Sequence, residues 1–380
     1  MGKRLRVGVL FGGKSGEHDV SLMSARSVVN AIDRRKYEVV LLGIDRDGRW
    51  LTQGDPMRVL SETASDLGID TEVQPSHAGA DHGRRELIPG TQQEGFPQVD
   101  VIFPVLHGPF GEDGTVQGLL ELADLPYVGA GVTGSAVGMD KAIFKDVMRS
   151  HGLPIADYLL LLRSDWENDP EAALDRVECA LAYPVFTKPA NLGSSVGICK
   201  CHDRQELAAG LADAALYDRK LLIELAIPGA REIEVSVLGN DDPIASVPGE
   251  IIPSRVFYSY ESKYIDTGDQ ASKLLIPGPL HHETTARVQE LAVRAYQAID
   301  CAGMARADFL LSSKTGHLYV NELNTIPGFT AISMYPKLWE ASGIPYPELI
   351  GRLIDLALER YRDRKRSITS YRPRHTIGDD

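Results

Sequence analysis

Apolar residues fall into short runs in the first third of the chain, with turn residues between them. Leu5-Arg6-Val7-Gly8-Val9-Leu10-Phe11 predicts a buried strand, a helix follows over about 19–33, and Val39-Val40-Leu41-Leu42-Gly43-Ile44 predicts a second strand. Strand, helix, strand in this order predicts an open parallel sheet covered by helices. The pattern lapses over 52–98, which is polar and rich in Gly, His and Gln; a partly ordered insertion is expected there. A strand over 99–103 restores the sheet. It leads into His107-Gly108-Pro109-Phe110-Gly111-Glu112-Asp113-Gly114, at the carboxyl end where ligand loops of such sheets sit.

From about 133 the rhythm changes. A helix over 135–150 precedes strands near 155–162, 184–188, 195–200 and 220–225, with helices near 169–181 and 203–216. Short strands joined through Gly and Ser predict antiparallel pairing in a small α+β unit. A third portion has long strands over 231–239 and 243–252, a polar loop over 254–273 and a helix over 283–300. Two more strands follow, then a final helix from Tyr346 to about Arg360. That helix sets Leu349, Ile350, Leu353 and Ile354 on one face, and the basic tail after Tyr361 is expected to fray. The expected division is 1–132, 133–227 and 228–362, with a flexible tail over 363–380. The fold class is α/β and α+β.

With 380 residues and a net charge of −13, the chain has room for several cores and is a poor match for nucleic acid or an anionic membrane. No apolar run approaches the ~18–20 residues of a membrane span. The basic amino terminus runs into a strand rather than a long apolar leader, so a cytoplasmic protein is expected. The four cysteines agree with that. Cys179 and Cys301 are expected to pack in cores. Cys199-Lys200-Cys201-His202 lacks both the spacing and the second ligand pair of a zinc site.

Several stretches carry candidate chemistry. In Asn321-Glu322-Leu323-Asn324, Glu322 and Asn324 are two apart on a strand and so share a face. Asp308, on the strand before, is a matching carboxylate. Hard oxygen donors of this kind suit Mg²⁺, and Gly328 in the loop beyond lets a backbone N–H approach a reacting group. Lys188 opens Lys188-Pro189-Ala190-Asn191-Leu192-Gly193-Ser194-Ser195-Val196-Gly197, whose amides, hydroxyls and lysine suit a phosphate; an ordinary hairpin turn is the plainer reading. Lys141 stands near a helix start against the macrodipole, which calls for an anionic partner. Glu17 also precedes a helix, where an acidic residue has a purely structural reason to be. Glu224 and Glu232 flank a Pro-Gly turn and are either surface carboxylates or contacts for a purine and a ribose. Phe257, Tyr258, Tyr260 and Tyr264 in a polar loop suggest a lid. Gly8 through Ser15 satisfies the P-loop spelling, but its first glycine lies inside the strand, so the loop is too short.

These stretches, in this order, resemble the ATP-grasp superfamily and within it the D-alanine–D-alanine ligases. The likeness covers about Arg6 to Tyr361. It rests on Gly12 through Ser21, His107 through Gly118, Met139-Asp140-Lys141, Lys188 through Gly197, Arg231 through Val235, Tyr260 through Tyr264, Arg306-Ala307-Asp308 and Asn321 through Ser333. The resemblance implies ATP held between two antiparallel sheets. Lys141, Lys188, Ser194 and Ser195 would meet its phosphates. Glu224 and the backbone near Ala226 and Ile227 would meet the adenine, and Glu232 the ribose. Asp308, Glu322 and Asn324 would hold two Mg²⁺ or Mn²⁺ ions. Glu17 and His107 would serve the first D-alanine, Lys263 and Ser333 the carboxylate of the second. Arg306 and the Gly328 N–H would stabilise an oxyanion, and Glu17, Ser194 and Tyr264 would lock the lid. A homodimer acting in peptidoglycan precursor synthesis is implied as well. Ala230 lengthens the 224–232 turn and blurs the adenine contacts by a residue. Open alternatives are D-lactate or D-serine as second substrate, a non-catalytic nucleotide-binding regulator, and a P-loop NTPase built on Lys14.

Overall fold

The computed structural model describes residues 4–51, 54–62, 98–253 and 272–368. The proposed lid residues Lys263 and Tyr264, the segment 76–97 and the end of the tail lie outside them. Three sheets carry the chain. In the first, β1 (Leu5–Gly12) pairs in parallel with β2 (Tyr37–Ile44), and β3 (Trp50–Leu51) closes one edge antiparallel; β4 (Val101–Pro104) runs parallel on the other side of β1. The crossover from β1 to β2 is α1 (His18–Ala31). A helix α2 (Pro56–Glu62) lies in the predicted insertion, and α3 (Thr115–Leu122) follows the loop after β4.

The predicted helix over 135–150 is two helices, α4 (Val132–Met139) and α5 (Lys141–Ser150). Asp140 breaks it: its backbone is extended and its carboxylate accepts the N–H groups of Ala142 and Ile143, a cap that starts a new helix. The second sheet is antiparallel throughout, in the order β5 (Tyr158–Leu162), β8 (Lys220–Leu225), β6 (Val185–Pro189), β7 (Cys199–Cys201). Helices α6 (Arg163–Asn168), α7 (Pro170–Ala180) and α8 (Arg204–Tyr217) complete this portion, the last two burying Leu174, Val177, Leu207 and Leu211 beneath it. Cys179 is exposed on α7, against expectation, because it faces away from Leu174 and Val177; Cys301 is buried as expected.

The third sheet centres on β9 (Ala230–Gly239), β13 (Gly303–Ser312) and β14 (Leu318–Asn324). The expected long strand 243–252 is broken into β10 (Ile244–Ala245) and β11 (Gly249–Ile252), with Pro248 between them; β12 (Lys273–Leu275) pairs with β11. Proline has no N–H to give a ladder. Helix α9 (His282–Ala298) packs Val288, Leu291 and Ala295 on this sheet. After β14 come α10 (Met334–Ala341) and α11 (Tyr346–Arg364). α11 runs past the predicted end: Arg364 pairs with Glu121, and Lys365 reaches Asp124 at 2.8 Å. These ion pairs hold the last turn to the first sheet's α3 end. Leu349, Ile350, Leu353 and Ile354 join the same core as Val7, Val9 and Phe11. The site loops from the first and third sheets are thus fixed against each other.

Candidate active site

β13 lies between β9 and β14, and register does the first part of the construction. Asp308 stands opposite Glu234 on one side and Glu322 on the other, so three carboxylates form a row across three strands. The next pair along is Arg306 opposite Asn324. Residues two apart share a face, so Arg306 lies beside that row. Its guanidinium forks onto Asp308 at 2.7 and 2.6 Å and reaches Glu234 at 3.1 Å. Burial works against its charge, but Asp308 and Glu234 outweigh it and hold the pKa of Arg306 above its ordinary value.

Asp308, Glu322 and Asn324 supply two carboxylates and an amide oxygen on one face. Among the described residues no cluster of three or more His, Cys, Asp or Glu side chains is arranged for a metal. Two carboxylates and an amide oxygen are the donor chemistry of a hard divalent cation that takes one or two carboxylates and completes its shell with phosphate oxygens.

Lys141 is the first residue of α5. Its Nζ donates to the Leu192 carbonyl at 2.8 Å and reaches Glu322 at 3.4 Å, the anionic partner its position called for. This pair joins the second sheet's loop to the third sheet. In that loop Ser194 and Ser195 have φ of 52° and 60°. Two successive left-handed residues other than glycine are uncommon, and such strain collects at ligand loops.

Ser194 donates its hydroxyl to Glu17. Glu17 is at the N-cap of α1, yet makes no side-chain cap bond. Its carboxylate is directed across to the loop, which weighs against the purely structural reading. A Cβ on Gly108, whose φ of +74° favours glycine, would lie 2.7 Å from Glu17 Oε2 and displace the carboxylate. His107 is buried; its Nδ1 lies 2.9 Å from the Ile326 carbonyl and its Nε2 3.0 Å from Ser24 Oγ. A carbonyl can only accept, so Nδ1 carries the proton and Nε2 accepts from Ser24. Burial lowers the His107 pKa, keeping the ring neutral. Glu112 accepts the Gly108 N–H at 2.8 Å, and burial, helped by Glu17, pushes it up to about 8.

Glu17, His107, Lys141, Ser194, Arg306, Glu322, Asn324, Gly328 and Ser333 all line one cavity of about 650 Å³. A Cβ on Gly328 would lie 3.1 Å from Ser333 Oγ, so glycine keeps this corner open. Ser333 Oγ accepts the Thr330 N–H at 3.1 Å. Asp308 stands behind, on Arg306. Lys188 and Glu224 do not line this cavity; they meet in the second sheet at 2.6 Å, and Lys145 takes the other Glu224 oxygen. Burial opposes the charge of Glu224, but the two lysines overcome it and bring its pKa to about 2. Glu232, on β9, faces the field of Lys188, and Ser195 is half-buried in the loop. Ala226 gives its N–H to the Pro184 carbonyl at 3.1 Å, so a base at this turn would meet the Ala226 carbonyl or the Ile227 amide.

Lys145, Glu234 and Glu112 are the residues that sequence reasoning missed. The first two had a signal: Lys145 is one helical turn beyond Lys141, and Glu234 is two along the strand from Glu232. Glu112 had no such signal.

Two antiparallel sheets facing each other, one with a lysine-bearing Gly/Ser loop and the other with a carboxylate row, define an ATP-grasp enzyme. The D-ala D-ala ligase N-terminus model matches residues 6–130 and the D-ala D-ala ligase C-terminus model residues 147–355. The chain is 51% identical to the D-alanine–D-alanine ligase of Heliobacterium modesticaldum over 97% of this chain and 98% of that one. It is 52% identical to the one from Thermoanaerobacter sp. strain X514, over 96% and 99%. The solved D-alanine–D-alanine ligase from Coxiella burnetii superposes with a TM-score of 0.78 at 36% identity, covering 96% of this chain and 97% of that one. The VanG D-Ala:D-Ser ligase from Enterococcus faecalis does so at 0.78 and 34%, covering 93% and 100%. The chain belongs to the D-alanine–D-alanine ligase family. No helix among the described residues is long and apolar enough to cross a membrane.

Proposed function

We propose that this protein joins two D-alanine molecules into D-alanyl-D-alanine for peptidoglycan precursors, using ATP and releasing ADP and phosphate through a D-alanyl phosphate. The observation that carries the reading is the meeting of Glu17, Ser194, Lys141, Arg306 and Glu322 around one cavity from three separate parts of the chain.

A carboxylate resists attack by an amine until its oxygen becomes a leaving group. Glu17 holds the ammonium of the first D-alanine, and His107, neutral and fixed by Ser24 and Ile326, shapes the pocket beside it. Lys141, Lys188, Ser194 and Ser195 bind the nucleotide phosphates; Glu224, Ala226, Ile227 and Glu232 take the adenosine. Asp308, Glu322 and Asn324 would hold two Mg²⁺ or Mn²⁺ ions, which when bound neutralise charge on the phosphoryl oxygens. Ser333 and Lys263 hold the second carboxylate. Arg306 and the Gly328 N–H meet the oxyanion formed when the second amine attacks; one such donor is typically worth about 2.7–4 kcal/mol. Lys263 and Tyr264 would help keep water from the acyl phosphate. The proposed division into 1–132, 133–227 and 228–362 is supported by one sheet in each. The family resemblance favours a homodimer, and use of ATP fits a cytoplasmic location.

The likeness to a D-Ala:D-Ser ligase gives the second-substrate question an experimental form. With ATP and an equimolar mixture of D-alanine, D-serine and D-lactate, D-alanyl-D-alanine is the expected main product by mass spectrometry. A depsipeptide or a serine product in excess overturns the substrate choice. No phosphate release with D-alanine overturns the reaction.

A further inference from the structure

Against the second sheet lies a charged residue that the reaction as proposed leaves without a role. Lys145, on α5, is 1% exposed and does not line the cavity. Its Nζ meets Glu224 Oε1 and lies 5.6 Å from the centre of the Tyr158 ring. Lys188 takes Glu224 Oε2 at 2.6 Å. Tyr158 and Phe186 are the cross-strand neighbours of Glu224. The carboxylate is thus enclosed by two aromatic residues and two ammonium groups.

The two lysines are not equivalent. Both lie in the field of Glu322 on the facing sheet, but Lys188 keeps 12% of its side chain exposed and also feels Glu232, whereas the Lys145 side chain is 2% exposed. Phosphates that draw Lys188 forward take from Glu224 one of its two countercharges. A carboxylate this deeply buried then needs the other to stay charged and in place.

We propose that Lys145 is a positioning residue, the standing counter-ion that holds Glu224 while Lys188 turns to the nucleotide phosphates. Glu224 then continues to accept from the amine of a 6-amino purine and to repel a 6-oxo purine. This rests on the nucleotide assignment above.

Steady-state kinetics of the full-length protein with ATP and with GTP, at saturating D-alanine, test it in Lys145→Met, Lys145→Arg, Glu224→Gln and the double variant. Lys145→Met is expected to raise the KM for ATP about tenfold while kcat stays within about threefold, and to lower the ATP-over-GTP preference about tenfold. Lys145→Arg recovers most of both, and the KM for D-alanine does not move. In the Glu224→Gln background, Lys145→Met adds less than about twofold, since a residue acting through another has no further effect once that one is changed. A folded Lys145→Met with wild-type KM and preference overturns the proposal, as does a uniform fall in every kinetic constant. Should Lys145→Met fail to fold because Glu224 is stranded, the double variant leaves no orphaned charge and decides the question. A loss well beyond that of Glu224→Gln there overturns the proposal. Glu224→Gln with unchanged base preference removes the nucleotide assignment itself, whereas a damaging Glu224→Gln beside a silent Lys145→Met removes only the role of Lys145.

Discussion

The second and third sheets carry opposite imbalances of charge. In the second, Lys145 and Lys188 share one carboxylate, Glu224. In the third, Glu234, Asp308 and Glu322 stand in a row with Arg306 forked onto two of them. One side has a surplus of positive charge, the other of negative. Lys141 bridges them at 3.4 Å from Glu322. Neither surplus is a stable arrangement for its own sake, since a buried ion pair returns little beyond the cost of desolvating its partners. Together they suit a ligand whose phosphates face one sheet and whose cation faces the other, which is the form of metal-bound ATP. Each sheet taken alone would read as a structural ion-pair network; their opposition makes the case for function.

That comparison can be broken at several points. Arg306→Ala should have the largest effect, a fall in kcat of about 10²–10³-fold, because it removes an oxyanion donor and the guanidinium that Asp308 and Glu234 share. Arg306→Lys should recover little, since one ammonium cannot reproduce the fork. Glu322→Gln should lower Mg²⁺-dependent turnover at least about tenfold and raise the metal concentration needed for half-activity; full activity removes Glu322 from the metal set. On the positive side, Lys188→Ala should weaken ATP binding about tenfold by calorimetry, while Lys14→Ala should leave it within about twofold. The reverse order would move the phosphate site to the Gly12-Gly13 turn. Glu112, which lines the same cavity, gives a readout in stability. Its pKa is raised from 4.5 to about 8, so the folded protein binds its proton more tightly than the unfolded chain. Its contribution to stability is complete below pH 4.5 and falls away as pH rises toward 8. Thermal unfolding of Glu112→Gln should show a weaker decline than the parent over that window.

Much of this was legible because strand and helix periodicities are short and local. The i, i+2 spacing of Glu322 and Asn324 placed them on one face, and the register confirms that Asp308 is the cross-strand partner of Glu322. The macrodipole argument on Lys141 pointed to an anion, and Glu322 is there. What local pattern could not supply was the partner of a buried charge. Glu224 reads equally well as a surface carboxylate until β8 is placed between β5 and β6 and α5 is laid across them. The break at Asp140 was half legible: Lys141 reads as standing near a helix start, yet the apolar run reads as one helix over 135–150, and the cap bonds to Ala142 and Ile143 show that a second helix begins there. α11 continues past Tyr361, where fraying was expected to begin, because Glu121 and Asp124, more than two hundred residues earlier, hold Arg364 and Lys365; residues 369–380 lie outside the described ones.

A crystal structure with Mg²⁺ and a non-hydrolysable ATP analogue tests the opposition of the two sheets most directly. Oxygens of Asp308, Glu322 and Asn324 are expected at about 2.0–2.1 Å from the cations, with the terminal phosphate between them and Lys141 and Lys188. Phosphates seated at the Gly12-Gly13 turn, or cations that leave those three side chains uncoordinated, would contradict it.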